Sequence, residues 1–275
     1  MTKKYAMVID INKCSGCYNC QLACKDEHCE HDYPGYAAPQ PMMGQFWMKV
    51  TERERGKYPK VKVAYTPVPC MQCKDASCLK AAQDGAIHRR PDGIVIIDPV
   101  KAKGQKQIVS ACPYRVIYWN EALQLPQKCT FCAHLLDDGW KEPRCVELCP
   151  TGALIFGDLN DKNSEVAKLF ASGEVLHPEY GLKENVVYKA LPRKFIAGTV
   201  AYGATDECAG GVKVTISSNG KTQTTTTNNF GDFEFEGLPD HTEYTVKIEA
   251  KGYLAQELRA KTMVDVYLGV IKLLK

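Results

Sequence analysis

The 275 residues contain no apolar run of about 18 residues, the length that crosses a bilayer as a helix, so no membrane span is expected. The first residues, Met-Thr-Lys-Lys-Tyr, carry neither the apolar core of a secretory signal nor a twin-arginine pair, which points to a cytoplasmic, reducing location. No basic run is interleaved with aromatics, which argues against a nucleic-acid partner. The six histidines are scattered and lie in no nucleophile or metal motif, so no catalytic residue is expected on this chain. Cysteine is almost missing from the C-terminal part: of 14, only Cys208 lies beyond residue 150. A chain of this length buries a core without covalent staples, and a reducing location argues against a disulfide framework.

The cysteines that are present fall into four groups. The first is Cys14-x2-Cys17-x2-Cys20-x3-Cys24, and the second is Cys70-x2-Cys73-x4-Cys78. The third is Cys112, followed by Pro113; the fourth is Cys129-x2-Cys132-x12-Cys145-x3-Cys149, followed by Pro150. The first group has the bacterial ferredoxin spacing, in which three closely spaced thiolates wrap one cluster and the fourth cysteine ligates its neighbour. Soft thiolates are the donors that iron–sulfur clusters select. Cys129, Cys132, Cys145 and Cys149 taken alone would also suit zinc, but the first group is no zinc ribbon. Cys29 and Cys208 fit no group and are read as free thiols.

Charge is uneven along the chain. Residues 195–275 hold 8 Lys+Arg against 10 Asp+Glu, net −2, while the remainder is +5, an excess suited to compensating anionic thiolates. Lys13, Lys25, Lys128 and Arg144 stand beside candidate ligands, either as cations that favour a reduced cluster or as solvated surface charge.

Between the second and third groups, Pro91-Asp92-Gly93 marks a turn between two short apolar strands, and Pro150–Phe156 offers another strand. Residues 1–156 are therefore read as two ferredoxin-like modules, the second inserted in the first. Residues 157–194 read as a connector, with a short helix capped by Asn163 or Ser164, running through Phe170 and ended by Gly173. From Phe195 the period changes to two: Val212, Val214 and Ile216, then Phe233 and Phe235, then Tyr244, Val246 and Ile248. Turn signals at Ser218-Asn219-Gly220, Asn229-Phe-Gly231 and Leu238-Pro-Asp240 separate these runs. Residues 195–275 are expected to be an autonomous antiparallel β-sandwich of about seven strands. The fold class is α+β.

Met7-Val-Ile-Asp-Ile-Asn-Lys-Cys14, Pro69-Cys-Met-Gln-Cys73, Ala111-Cys-Pro-Tyr-Arg115, Lys128-Cys-Thr-Phe-Cys132 and Cys149-Pro-Thr-Gly-Ala-Leu-Ile-Phe-Gly-Asp158 resemble the four-cluster ferredoxin-like electron-transfer subunits of molybdopterin enzymes of the dimethyl-sulfoxide-reductase type. The likeness covers residues 5–190. Thr227-Asn-Asn-Phe-Gly-Asp-Phe-Glu-Phe-Glu-Gly-Leu-Pro239 resembles a carboxypeptidase-regulatory-like or Cna-B-type β-sandwich. One departure from the four-cluster pattern is systematic. Four positions where that family has cysteine hold Ala82, Ala102, Gln105 and Ile108, and by the crossed rule all four belong to one cluster.

The resemblance then implies three [4Fe–4S] clusters. One takes Cys14, Cys17, Cys20 and Cys149; a second takes Cys24, Cys129, Cys132 and Cys145; a third takes Cys70, Cys73, Cys78 and Cys112. It also implies a large partner subunit, in a heterodimer, that carries a molybdenum bis-pterin cofactor and the active site. The function expected is outer-sphere electron transfer to or from that molybdenum. A structural cysteine–metal module is the alternative from another class.

Overall fold

The computed structural model describes residues 2–275 and divides them into two units. One holds the chain up to Glu52 with Tyr65–Leu191; the other holds Arg53–Ala64 with Pro192–Lys275.

In the first unit, β1 (Tyr5–Asp10) is buried along its whole length. α1 (Asn19–His28) follows the first cysteine loop. A long hairpin, β2 (Lys49–Lys57) and β3 (Lys60–Val68), starts and ends in this unit, while its tip is grouped with the other. α2 (Ser77–Ala81), the hairpin β4 (Ile87–Arg89) with β5 (Val95–Ile97), and α3 (Gln107–Ser110) fill the stretch between Cys78 and Cys112. β6 (Tyr118–Asn120) and β7 (Leu125–Gln127) form another small hairpin. α4 (Ala133–Asp137) and α5 (Arg144–Glu147) carry the fourth cysteine group, and β8 (Leu154–Asp158), α6 (Glu165–Phe170) and β9 (Val186–Lys189) complete the unit.

β1 is the middle strand of a sheet ordered β8-β1-β9, antiparallel to β8 and parallel to β9. Being central, it buries both faces, which explains its unbroken apolar run. Met7 and Ile9 face the core that surrounds the cysteines, and Ala6 and Val8 pack with Ile155, Val187 and Val166 of α6. Ser164 caps α6, its hydroxyl accepting from the Ala167 amide at 3.2 Å. The stretch read as a connector therefore contributes a helix and a strand, β9, to this unit.

The second unit contains β10 (Lys194–Tyr202), β11 (Lys213–Ser218), β12 (Lys221–Thr226), β13 (Asp232–Leu238), β14 (Glu243–Glu249), β15 (Gln256–Lys261) and β16 (Val266–Leu273). They form two sheets, β13-β10-β16 and β12-β11-β14-β15. Ile196, Val200, Phe233, Phe235 and Ile271 of the first share one core with Val214, Ile216, Val246 and Ile248 of the second. Asn219 and Gly220 both take positive φ (48° and 74°), the two-residue turn that fits strand twist between β11 and β12. One pairing departs from the antiparallel expectation: β10 and β16 run parallel. Period-two alternation reports which face of a strand is buried, not the direction of its neighbour.

Candidate metal centres

Three groups of thiols come together in the first unit. Cys14, Cys17, Cys20 and Cys149 line one cavity. Cys70, Cys73, Cys78 and Cys112 line another. The remaining four, Cys24, Cys129, Cys132 and Cys145, are all buried, and the charges on Cys129 and Cys132 act on both Cys24 and Cys145. Helix packing explains that grouping. α1 carries Cys20 and Cys24 one turn apart and lies against α5, which presents Cys145. Cys24 thus sits one turn further along α1 than Cys20, beside α5.

The loops are shaped for anions. In three of the four Cys-x2-Cys segments the residue just before the second cysteine has positive φ, Gly16 (69°), Gln72 (49°) and Phe131 (53°), and in Cys17-x2-Cys20 it is Tyr18 (61°), one residue earlier. Such a reversal aims successive N–H groups into one concavity, a nest that suits an anionic cluster. Phe131 N–H lies 3.4 Å from Cys129 Sγ. Gly16 has a second reason to be glycine, since a Cβ there would sit 2.5 Å from the Tyr65 ring.

Burial pushes several of the thiols up, Cys20 to about 12 and Cys78 and Cys129 to about 11. Burial also opposes the Cys149 thiolate, but the N–H groups of Leu154, Ala153 and Thr151 and the Thr151 hydroxyl outweigh it and pull Cys149 below its ordinary value. Among the described residues no three His, Cys, Asp or Glu side chains converge closely enough to hold a single metal ion. Thiols that ring a cavity, with amides aimed at sulfur, fit a cluster better than one zinc ion.

The buried Cys24 group is the middle one, bordering both others: Cys24 lies one turn from Cys20 on α1, and Gln72, within the Cys70 loop, donates to the Cys129 carbonyl at 3.0 Å. The outer group containing Cys17 is the more open, with that thiol exposed.

Where the resemblance places a further cluster, the structure has a plug. Ala102 and Ile108 are fully buried among Ile87, Ile97, Ile117 and Leu125, and Ala82 packs on the same cluster. Gln105 accepts from Gln83 N–H at 2.9 Å and donates to the carbonyls of Lys101 (2.9 Å) and Gln83 (3.3 Å). Its amide ties together backbone that a cluster would otherwise anchor.

Two histidines that form no sequence motif meet beside the middle group. His28 Nε2 lies 3.7 Å from Cys132 Sγ, and burial pushes His28 down to about 3, so its ring is neutral. His134 Nε2 pairs with Glu27 at 2.9 Å, and its ring stacks on Tyr33. The available signal was that His28 follows Cys24 by one helical turn on α1, sharing its face.

The four cations separate into different roles. Lys13 is exposed. Lys25 donates to the carbonyls of Pro41, Gly44 and Gln45, holding a loop. Arg144 pairs with Glu27 and Glu147. Lys128 is not solvated at all, being 2% exposed.

Cys29 and Cys208 line neither cavity; Cys29 bridges to Gln40 through its backbone and Cys208 is exposed in the second unit. Cys29→Ser and Cys208→Ser are each expected to leave iron per chain unchanged. Loss of any cluster's spectral signal in either variant would contradict this.

A 4Fe-4S dicluster domain model matches residues 61–159, and a carboxypeptidase regulatory-like domain model matches residues 196–267. The pyrogallol hydroxytransferase small subunit of Pelobacter acidigallici is 43% identical, over 98% of this chain and all of that one. A putative dimethyl sulfoxide reductase iron-sulfur subunit of Halobacterium salinarum is 36% identical, over 61% of this chain and 71% of its own. A chain of the anaerobic dimethyl sulfoxide reductase of Escherichia coli is 32% identical, over 69% of this chain and 90% of its own. The chain therefore belongs to the iron–sulfur electron-transfer subunits of molybdenum enzymes of the dimethyl-sulfoxide-reductase type.

Proposed function

We propose that this chain holds three [4Fe–4S] clusters in the ligand sets Cys14/Cys17/Cys20/Cys149, Cys24/Cys129/Cys132/Cys145 and Cys70/Cys73/Cys78/Cys112. It passes electrons along them to or from a molybdenum bis-pterin site on a large partner subunit, in a heterodimer. The observation that carries the reading is Cys149 lining one cavity with Cys14, Cys17 and Cys20, from the far end of the cysteine region. When bound, a [4Fe–4S] cluster supplies one-electron transfer. The chain's own residues supply thiolates, amide donors to sulfur and a dry surround, the levers that set potential. The plug at Ala82, Ala102, Gln105 and Ile108 leaves no thiol for a fourth cluster.

The partner's reaction is read as hydroxyl transfer between aromatic rings of the pyrogallol type, with no net oxidation. The support is the Pelobacter relative, whose match runs over 98% of this chain, β-rich unit included, whereas the two reductase subunits match 61% and 69%. In such a reaction the clusters set or restore the molybdenum oxidation state rather than cycle every turnover. A net reductase or dehydrogenase would instead need an electron donor or acceptor for each turnover.

Anaerobically purified complex is expected to contain about twelve iron atoms and about twelve acid-labile sulfides in this chain, from twelve motif cysteines. A value near sixteen would show that the plugged position holds metal. Turnover of pyrogallol without added oxidant or reductant separates hydroxyl transfer from the redox alternative.

A further inference from the structure

Lys128 is a buried ammonium with an unusual set of neighbours. It is 2% exposed, and Nζ donates to the carbonyls of Val95 and, at 3.1 Å, Cys129. Among the described residues no carboxylate pairs with it, although exposed and half-buried lysines elsewhere in the chain have such partners. Carbonyl dipoles alone compensate a desolvated cation poorly, and buried charges are normally paired.

Its position explains where the compensating charge lies. Cys129, the next residue, belongs to the middle thiol group. Val95 lines the cavity of the Cys70 group. Lys128 is joined by one peptide bond to Cys129 of the middle group and by a hydrogen bond to Val95 on the wall of the Cys70 cavity. The cation thus stands between the middle site and the Cys70 site, the inner pair. Four thiolates round a cluster core leave net negative charge, and reduction adds one more. A fixed cation in a low dielectric favours the reduced state of each site it faces.

We propose that Lys128 is the shared counter-charge of the Cys24 and Cys70 clusters, the inner pair, raising the reduction potential of both while leaving the Cys14 cluster unaffected. This rests on the ligand sets proposed above. Lys128 acts through the clusters, so it is a positioning residue for charge, not a ligand.

The test is a redox titration followed by electron paramagnetic resonance, on the purified complex, of wild type, Lys128→Met and Lys128→Gln. Methionine is close in length and uncharged; glutamine is uncharged but keeps N–H donors for the Val95 and Cys129 carbonyls. Both variants are expected to lower the reduced-to-oxidised ratio of the two inner clusters, at fixed poise, by tenfold or more. For a one-electron couple that is a shift of at least 59 mV. The Cys14 cluster is expected to stay within threefold. Wild-type potentials in Lys128→Gln would overturn the proposal, because hydrogen bonding alone then explains the residue. An equal shift of all three clusters would overturn it, as would loss of the inner clusters from both variants, since Lys128 would then be structural. Failure of the ligand reading itself is distinguishable, because it shows as missing inner-cluster signals in the wild type.

Discussion

Replacing Cys24 with alanine is expected to abolish the signal of the Cys129/Cys132/Cys145 cluster and to leave that of the Cys14/Cys17/Cys20 cluster in place. Cys24 stands in sequence at the end of the first group, so a purely sequential assignment gives the opposite outcome. The reason to expect the crossing is helix packing: α1 carries Cys24 one turn beyond Cys20 and lies against α5, which presents Cys145. Iron should fall from about twelve to about eight per chain, since one of three sites is lost. The complementary change, Cys149→Ala, should remove the outer cluster instead, because Cys149 lines its cavity. It should also loosen the fold, since that cluster ties the first loop to the end of β8's approach and closes a long stretch of chain. Resonance spectra of the reduced variants separate the sites, helped by coupling between neighbours. Disappearance of the Cys14 cluster's signal in Cys24→Ala would falsify the crossed sets.

The cysteine loops were legible in the sequence because their spacing is a local property, whereas grouping Cys149 with Cys14 and Cys24 with Cys129 came from the resemblance. A Cys-x2-Cys loop must fold back on itself within a few residues, and its geometry is written in those residues alone. The same holds for the Pro91-Asp92-Gly93 turn between β4 and β5, where Gly93 takes φ of 90°, and for Tyr244, Val246 and Ile248, all buried on β14. What escaped is non-local. The β2–β3 hairpin is built from Thr-Glu-Arg-Glu-Arg-Gly-Lys and is largely exposed along β2, so no alternation announces it. β9 is four residues long, and its place beside β1 depends on a partner strand far away in sequence. The parallel β10–β16 pair is invisible for the same reason. Lys128 stood beside a ligand in the sequence, but nothing local distinguished a buried cation from a solvated one. His28 and His134 meet only because α1 and α4 converge on one thiol group.

The hairpin tip leads to the second large effect. Arg55 belongs to the β-rich unit and forms a bidentate pair with Asp265, Nε to Oδ2 at 3.0 Å and Nη2 to Oδ1 at 2.6 Å. Both side chains are largely buried, 12% and 6% exposed. Asp265 Oδ1 also accepts the Phe195 amide at 3.0 Å, and Arg55 donates to the Arg193 carbonyl and lies over the Phe195 ring. One carboxylate therefore fixes the start of β10 to the hairpin tip. Asp265→Ala strands a buried guanidinium and a buried amide, which costs about 3–5 kcal/mol. For a unit of this size each kcal/mol moves the melting point by about 4–8 °C, so its calorimetric transition should fall by more than about 10 °C. Arg55→Met combined with Asp265→Ala should recover part of that loss, because no charge is then left unpaired. A double variant as unstable as the single one would show that packing, not the stranded charge, sets the cost. The same pair bears on residues 195–275 expressed alone. That fragment keeps every strand of both sheets except the first residue of β10, but loses Arg55, so Asp265 is left without its cation. It is expected to fold with a β-type spectrum and to melt well below the same unit in the full chain. Supplying residues 53–64 on the same polypeptide should raise the melting point again.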